Sequence, residues 1–308
     1  MIPPRIVVGI ERSDRTDDAL ALARTLATPA SARLVLAGAC EFHSIALAGA
    51  DLAGLFAEES VAEGRALVAR RAAELRAAGL DVEEVVSAFG SPASVLQSAA
   101  EEHEADLIVV GSTHTTPRGR VLPGSTGERL LAGAACAVAV APRGHASRTV
   151  ATPRRIGVAF DGSAEARAAL GAAAGLAARY DAALQVLTVL DVAGFASPAL
   201  MGGPGYDRVH ADVEATARAH LEEAVAELPR DVAAEGRLLE GAPARLLAEA
   251  SADLDLLLMG SRGYGPLRAV LLGGVSGRLV RQAACPLIVT PRGVAHPLAG
   301  LLDRVAAA

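Results

Sequence analysis

Short apolar runs alternate along this chain with segments in which apolar residues recur every three or four positions, as on one face of a helix. In the C-terminal half, Ser163 is placed to N-cap an alanine-rich helix, and Pro243 stands where a helix tolerates proline. The pattern there predicts strands at 155–160, 183–190, 232–239, 254–259 and 286–289, and helices at 163–179, 209–227, 243–250 and 276–283. Alternating strands and helices predict an α/β fold, a doubly wound parallel sheet with helices on both faces. Ligands of such sheets bind beyond the carboxyl ends of the strands.

The N-terminal half repeats the C-terminal half. Ile6–Glu11 corresponds to Ile156–Asp161 at an offset of 150 residues, and Asp106–Ser112 corresponds to Asp255–Ser261 at an offset of 149. Matching segments in the same order predict two tandem copies of one domain. The predicted boundaries are 1–146 for the first domain, 152–294 for the second and 295–308 for a C-terminal tail.

Charge and composition exclude several function classes. The 308 residues carry a net charge of −6, which argues against nucleic acid or an anionic membrane as a partner because both need a basic surface. All 29 basic residues are arginine, so Schiff-base chemistry and a Walker A loop are excluded, since both need a lysine amine. The scattered histidines have no metal-ligand spacing, and no metal is expected.

Cysteine usage and the lack of long apolar runs bear on location. Cys40, Cys136 and Cys285 are too far apart in sequence for a C-x-x-C pair, and so few cysteines fit a reducing compartment, where a buried thiol acts as a small apolar side chain. No apolar run is long enough to span a bilayer, and the first residues lack the pattern of a secretory signal. We therefore expect a cytoplasmic protein.

A glycine-rich segment follows the apolar strand that ends at Met259. It reads Gly260, two residues, Gly263, nine residues, and then Gly273-Gly274-Val275-Ser276 before a helix. Backbone N–H groups at a helix N-terminus bind phosphate without a lysine, and glycine permits close approach of the backbone. The same residues also suit a turn that merely reverses the chain, as Asp161-Gly162-Ser163 suits a turn and a helix cap.

The loop, with the repeat, resembles the universal stress protein family, in particular its tandem two-domain members. The resemblance runs from about Arg5 to Gly144 and from Arg155 to Gly293. It implies a Rossmann-like, adenine-nucleotide α-hydrolase-like fold that binds ATP, with Asp161 contacting the adenosine and Val189 lining the adenine. Gly274 departs from the family, which usually has Ser or Thr there. The candidate binding residues of the second domain are Asp161, Val189, Met259, Gly260, Gly263, Gly273, Gly274, Val275 and Ser276.

The first domain matches this pattern less well. Its weaker candidate residues are Glu11, Gly111, Gly124 and Ser125. Glu11 replaces the aspartate, His114 stands in place of the second loop glycine, and Gly127 replaces the distal hydroxyl. If that loop position required positive φ, a histidine there would cost roughly 1–3 kcal/mol. We therefore expect the main site in the second domain.

Different classes of function remain open at the level of sequence. The first is a stress-response protein that binds ATP, with or without Mg²⁺, and acts as a nucleotide-dependent sensor or regulator. The alternative is a non-catalytic interaction scaffold with no nucleotide or a purely structural one. An enzyme of the wider superfamily is disfavoured because its adenylyl-transferase and ATP-pyrophosphatase signatures are absent, which leaves slow ATP hydrolysis at most.

The family resemblance also implies how the domains associate. Universal stress proteins dimerise through the last strand of the domain, which corresponds here to 137–140 and 287–289. These short apolar strands stand at a sheet edge, where unpaired backbone groups favour pairing. We expect the two domains of one chain to pair through them, and the sequence leaves a homodimer open.

Overall fold

The structure is a computed structural model that describes residues 3–39, 50–87, 90–148, 152–191, 204–261, 274–294 and 296–302. The chain divides into two compact units. Unit 1 comprises residues 1–149 together with 298–308, and unit 2 comprises residues 150–297.

Unit 1 is a five-stranded parallel sheet with helices between the strands. Its strand order is β3-β2-β1-β4-β5, with parallel pairing along the described registers. In chain order the elements are β1 (Arg5–Ile10), α1 (Asp14–Ala27), β2 (Arg33–Ala39), α2 (Ala50–Ala77), β3 (Val82–Ser87), α3 (Pro92–Glu102), β4 (Leu107–Gly111), α4 (Ser125–Gly133) and β5 (Ala137–Ala141). Short 3-10 turns cover Thr28–Ala30 and His145–Ser147.

Unit 2 repeats this arrangement. Its strand order is β10-β9-β6-β7-β8, again with parallel pairing. The elements are β6 (Arg155–Ala159), α5 (Ala164–Tyr180), β7 (Ala183–Leu190), α6 (Pro204–Ala226), β8 (Ala234–Glu240), α7 (Pro243–Ala250), a 3-10 turn (Ser251–Asp253), β9 (Leu256–Gly260), α8 (Gly274–Leu279) and β10 (Leu287–Thr290).

The predicted α/β fold with parallel sheets is confirmed in both units. The first strand of each unit lies between two strands that are distant from each other in sequence, so the strand order reverses beside it. Continuous apolar runs form these central strands because both faces are buried, as Ile6, Val7 and Val8 show with no exposed surface. The reversal opens a crevice at the carboxyl ends of the strands, which is where such folds bind ligands.

Helix starts were predicted closely where a capping serine or a first-turn proline marks them, whereas α6 begins at Pro204, five residues before the predicted start. The Ser163 hydroxyl accepts the backbone N–H of Ala166 and N-caps α5, and Pro243 lies in the first turn of α7, both as predicted. The helix predicted at 276–283 is instead Gly274–Leu279, followed by turn hydrogen bonds that reach Ala283. The strand predicted at 232–239 runs from Ala234 to Glu240. The sequence between β7 and α6, rich in Gly, Pro and Ala, predicts a loop at 194–206; residues 194–203 lie outside the described residues, and α6 begins at Pro204.

The segment that follows unit 2 packs on unit 1. A short helix, α9 (Ala299–Leu302), follows Leu298, and Leu298 and Leu301 are both buried. The backbone N–H of Gly300 donates to Asp106 Oδ1 at 3.0 Å, while Asp106 Oδ2 accepts the N–H of Arg5 at 3.2 Å. Part of the region predicted as a tail is thus folded against the first unit.

The cysteines that the structure describes are reduced. Cys285 is buried, and burial raises the pKa of the half-buried Cys136 to about 12. Cys40 lies outside the described residues. Among the helices of the described segments, none is both long and apolar enough to cross a membrane.

Candidate functional site

Unit 2 has a cavity of about 590 Å³ at the carboxyl ends of β6, β7 and β9. The predicted binding residues that line it are Asp161, Val189, Met259, Gly260, Val275 and Ser276. Gly274 adjoins this set at the start of α8. Gly263 and Gly273 lie outside the described residues, as do Arg262 and Arg268, which flank the loop in sequence. Residues up to 115 positions apart in sequence therefore share one cavity.

Asp161 is positioned by the turn between β6 and α5. Its Oδ1 accepts the N–H of Ser163 at 3.0 Å, which forms an Asx turn, and Ser163 in turn caps the helix. The Thr188 hydroxyl donates to the carbonyl oxygen of Phe160 at 3.0 Å and so fixes the end of β6 beside β7. Asp161 therefore serves the turn, as its sequence context suggested, and its exposed carboxylate also borders the cavity.

The wall of the cavity is mainly apolar. Leu187 and Leu190 of β7 are buried, and Val189 between them is half-buried. Across from the sheet, α7 contributes Leu247. An apolar wall with polar groups at one end suits a ligand that combines a flat apolar part with a polar part.

The contribution of α6 to the lining of the cavity was not predicted from the sequence. This helix lines the cavity with Asp212, Val213, Thr216, Ala217 and His220. Positions 213, 216, 217 and 220 have the three- and four-residue spacing of one helix face, so helical periodicity could have identified them. Asp212 on α6 and Asp191 at the end of β7 add carboxylates, so the described rim of the cavity is more acidic than basic.

The glycine that ends β9 has a structural reason. A Cβ atom on Gly260 would lie 2.6 Å from the carbonyl carbon and oxygen of Glu165, which is backbone of α5. In unit 1 the same holds for Gly111, where a Cβ atom would lie 2.3 Å from the carbonyl oxygen of Arg15. Close approach of a helix to the strand end thus requires these glycines, whatever ligand the cavity takes. Close approach of a ligand to the backbone is therefore not needed to explain the glycine at position 260.

Gly274 differs from these two glycines. Gly274 lies at φ +83°, a backbone conformation that favours glycine. A Cβ atom at this position would have open space around it, so steric contact is not the reason for the glycine. Its counterpart in unit 1, Ser125, does not adopt positive φ and begins α4 after Gly124 at φ −78°. The two phosphate-loop candidates therefore begin their helices with different backbone geometry.

Unit 1 has a corresponding cavity of about 500 Å³. The predicted residues Glu11, Gly111, Gly124 and Ser125 all line it. Both oxygens of the Glu11 carboxylate accept from Arg15, through Nε and Nη2, and a second ion pair joins Arg12 to Glu63 of α2. Sequence analysis missed both arginines, although the spacing of Glu11 and Arg15 is that of an i, i+4 ion pair.

The expectation about His114 needs correction. His114 does not adopt positive φ, so the strain considered for that position is not present. The loop is instead held by Ser112, whose buried hydroxyl donates to the carbonyl oxygen of Ala141 at 2.7 Å and accepts the N–H of Leu122 at 3.1 Å. Arg143 adds a bond from Nη1 to the carbonyl oxygen of Thr116 at 2.9 Å. The fixed course of this loop removes any need for a left-handed residue at His114.

No group of three or more His, Cys, Asp or Glu side chains within the described segments is arranged to hold a metal ion.

Comparison with known proteins gives the family. The model of the universal stress protein family matches residues 4–142 and 152–291. A universal stress protein from Mycobacterium tuberculosis is 28% identical over 290 residues, covering 93% of this chain and 99% of its own. Another, from Mycolicibacterium smegmatis, is 34% identical over 194 residues, covering 61% of this chain and 63% of its own.

Solved structures agree with this assignment at the level of the fold. The crystal structure of a universal stress protein from Archaeoglobus fulgidus matches with a TM-score of 0.65 at 19% identity, over 94% of this chain and 96% of that one. A protein described as a putative universal stress protein from Pseudomonas aeruginosa matches with a TM-score of 0.64 at 18% identity, over 97% and 96% of the two chains. With two matched domains in tandem, the chain belongs to the universal stress protein family.

Proposed function

We propose that this protein is a cytoplasmic stress-response protein that binds ATP in the cavity of unit 2 and acts as a nucleotide-dependent sensor or regulator. The observation that carries the proposal is the convergence of six motif residues on one cavity: Asp161 and Val189 from one side, Met259 and Gly260 from the strand end, and Val275 and Ser276 from the start of α8. Asp161 and Val189 were implied by the family resemblance and the glycine-rich segment was found from its spacing, and the shared cavity supports both as parts of one site.

The dimensions and chemistry of the cavity suit an adenine nucleotide. Ligand cavities span roughly 300–1,000 Å³, and this one measures about 590 Å³. The apolar wall at Val189 and Leu187 can cover a base, and the Asp161 carboxylate can accept from the hydroxyl groups of a ribose. Ser276, in the first turn of α8, brings to the cavity a hydroxyl group that can donate to a phosphate oxygen.

Titration of the purified full-length chain with ATP tests the proposal. Isothermal calorimetry with and without Mg²⁺ gives stoichiometry and affinity, and mass spectrometry of small molecules released on denaturation identifies any nucleotide retained from the cell. Asp161→Ala should weaken ATP binding, whereas Glu11→Ala, the matched change in unit 1, should alter it less. Absence of adenine nucleotide from the purified protein, together with no binding on addition, would favour the scaffold alternative.

A further inference from the structure

The two cavities differ most in the side chains that follow the first strand of each unit. Unit 1 has Glu11-Arg12-Ser13-Asp14-Arg15, and the corresponding residues of unit 2 are Asp161-Gly162-Ser163-Ala164-Glu165. Only the serine, which caps the helix in both units, is the same. Both units have a carboxylate at the first position. At the second position, arginine in unit 1 corresponds to glycine in unit 2, and at the fifth position arginine corresponds to glutamate.

In unit 1 the first-strand carboxylate is fully engaged by its own chain. Glu11 Oε1 accepts from Arg15 Nε and from the Ser13 hydroxyl, and Oε2 accepts from Arg15 Nη2. A ligand hydroxyl group that needed this carboxylate would have to displace a charged, bidentate partner. At the position of Arg15, unit 2 has Glu165, whose side chain has no N–H groups and whose Oε1 lies 3.6 Å from Arg292 Nε.

The Arg15 side chain also reaches the other end of the cavity. Its Nη1 lies 3.4 Å from the position that a Cβ atom on Gly124 would occupy, directly before α4. The guanidinium group therefore extends from the strand-end carboxylate to the start of the helix. A nucleotide bound as proposed for unit 2, with its ribose at the carboxylate and its phosphates at the helix, would need this same space.

A second ion pair narrows the unit 1 cavity from another direction. Arg12 follows β1 and pairs with Glu63 of α2, and both residues line the cavity. In unit 2 the position of Arg12 is taken by Gly162, which lies at φ +78° and has no side chain to form such a bridge.

We propose that the ion pairs Glu11–Arg15 and Arg12–Glu63 exclude adenine nucleotide from the unit 1 cavity, which makes Arg12 and Arg15 the residues that restrict binding to unit 2. The inference rests on the proposed function, since it assumes that the second unit binds nucleotide. It assigns unequal roles to the two cavities: one nucleotide site per chain, with the carboxylate and the helix end of the other cavity occupied by its own side chains.

Simple electrostatics gives the opposite expectation. ATP is an anion, and unit 1 has two arginines at its cavity where the matching positions of unit 2 have none. On charge alone, unit 1 would attract ATP more strongly and removal of the arginines would weaken binding. If the ion pairs exclude the nucleotide, their removal strengthens binding. The direction of the change therefore separates the two explanations.

The pairs can be replaced without a large loss of stability. The side chains of Arg12 and Glu63 are 63% and 51% exposed, and those of Arg15 and Glu11 are 27% and 41% exposed. Ion pairs this exposed contribute little to folding because water screens them. Substitutions at these positions therefore test ligand binding in a chain that remains folded.

The experiment transfers the residues of unit 2 into unit 1 of the full-length chain. The triple variant Glu11→Asp, Arg12→Gly, Arg15→Glu is titrated with ATP by isothermal calorimetry, after circular dichroism and thermal unfolding establish that it is folded. The wild-type chain should bind one ATP, and the variant should bind two, with unit 1 affinity raised about tenfold or more by the released carboxylate. Arg24→Glu makes the same charge change as Arg15→Glu on the exposed face of the same helix and should leave the stoichiometry at one.

Each result decides the question. A gain of a second site supports the inference, and misfolding cannot produce it. Two comparable sites in the wild-type chain, or a folded variant with one site, would overturn the inference and leave the proposed function intact. No binding by the wild-type chain would overturn the proposed function as well. If the triple variant does not fold, Arg15→Glu alone is titrated instead, and an unchanged single site then overturns the inference.

Discussion

Glycines of similar appearance in the sequence have different physical roles in this protein. At Gly260 a side chain would collide with backbone of α5, whereas at Gly274 the limitation is a φ of +83° in open space. A variant at the first position therefore perturbs packing between helix and sheet, and a variant at the second perturbs only the local backbone. Binding studies with substitutions at Gly260 or Gly111 would confuse a loss of fold with a loss of site.

We predict that Gly260→Ala destabilises the protein more than Gly274→Ala. The new Cβ atom at position 260 would lie 2.6 Å from backbone atoms that cannot move without displacing α5, which costs roughly 1–3 kcal/mol. At position 274 the cost is the left-handed backbone of a non-glycine residue, about 1–2 kcal/mol. Urea unfolding of both variants measures the difference, and equal stabilities would contradict the assigned roles.

Asp161 offers a way to separate a turn residue from a ligand-binding residue. Asp161→Asn keeps an oxygen to accept the N–H of Ser163, whereas Asp161→Ala removes it. We predict that the alanine variant loses roughly 1–3 kcal/mol of ATP binding free energy through the lost acceptor. The asparagine variant should retain the stability of the wild type and lose part of the binding. If asparagine restored binding completely, the charge of Asp161 would have no role in it.

The sequence predicts the site residues unevenly, for identifiable reasons. Asp161 and Val189 were implied by the family resemblance, and they line one cavity because the carboxyl ends of parallel strands meet at one edge of the sheet. The contact of Gly260 with Glu165 depends on how closely α5 approaches the sheet, which no local pattern specifies. The Glu11–Arg15 pair was available from its i, i+4 spacing. The course of the loop at His114 could not be predicted from local sequence, because it depends on the buried hydroxyl of Ser112.

At the level of elements, the turn after β5 is held by α1. Both carboxylate oxygens of the buried Asp18 accept backbone N–H groups at 2.8 Å, from Gly144 and from Ala146. His145 is thereby fixed in a buried position where its Nδ1 has no hydrogen-bond partner among the residues that the structure describes. Burial, with a smaller effect from Arg148, lowers the pKa of His145 to about 4.

This histidine should make the stability of unit 1 sensitive to mild acid. Its pKa lies below the ordinary value of 6.5, so the unfolded chain takes up the proton first as the pH falls. The stabilising contribution is therefore complete above pH 6.5 and is lost between there and about pH 4, by about 3 kcal/mol in total. Burial raises the pKa of Asp18, which acts in the opposite direction. The difference between wild type and His145→Leu in urea unfolding at pH 7 and pH 5 isolates the histidine, and an unchanged difference would contradict its assignment.

Element boundaries were predicted well where a capping residue marks them. Ser163 and Pro243 fix helix starts through side-chain chemistry that is local in sequence. The end of α8 was placed too late, because apolar residues continue in the pattern while the chain turns toward β10. Hydrophobic periodicity reports burial, and a buried turn can extend a helical pattern beyond the helix.

At the scale of the whole molecule, the first unit is not continuous in sequence. Leu298 and Leu301 are each 2% exposed, and Gly300 donates to Asp106 in the same unit. We predict that unit 1 is less stable in a chain that ends at residue 297. Burial of the two leucine side chains contributes up to about 3–6 kcal/mol, from which the entropic cost of ordering the segment is subtracted. Hydrogen exchange read by mass spectrometry should show faster exchange in β4 and unchanged exchange in β9, which serves as the internal control. Equal protection of β4 in both chains would show that the segment does not support the unit.

The discontinuity determines how domain pairing through the last strands has to be tested. Residues 1–149 alone lack the cover of Leu298 and Leu301, so their association could reflect that exposed surface. Residues 150–297 form the whole of unit 2, whose own strand order ends with β10, Leu287–Thr290. This strand has no charged residue or proline, the features that protect an edge from pairing, whereas β8 at the opposite end has Glu235, Arg237 and Glu240. We therefore predict that the 150–297 fragment forms a homodimer through β10, measured by sedimentation over a range of concentrations, and a folded monomer throughout that range would contradict pairing by the last strand.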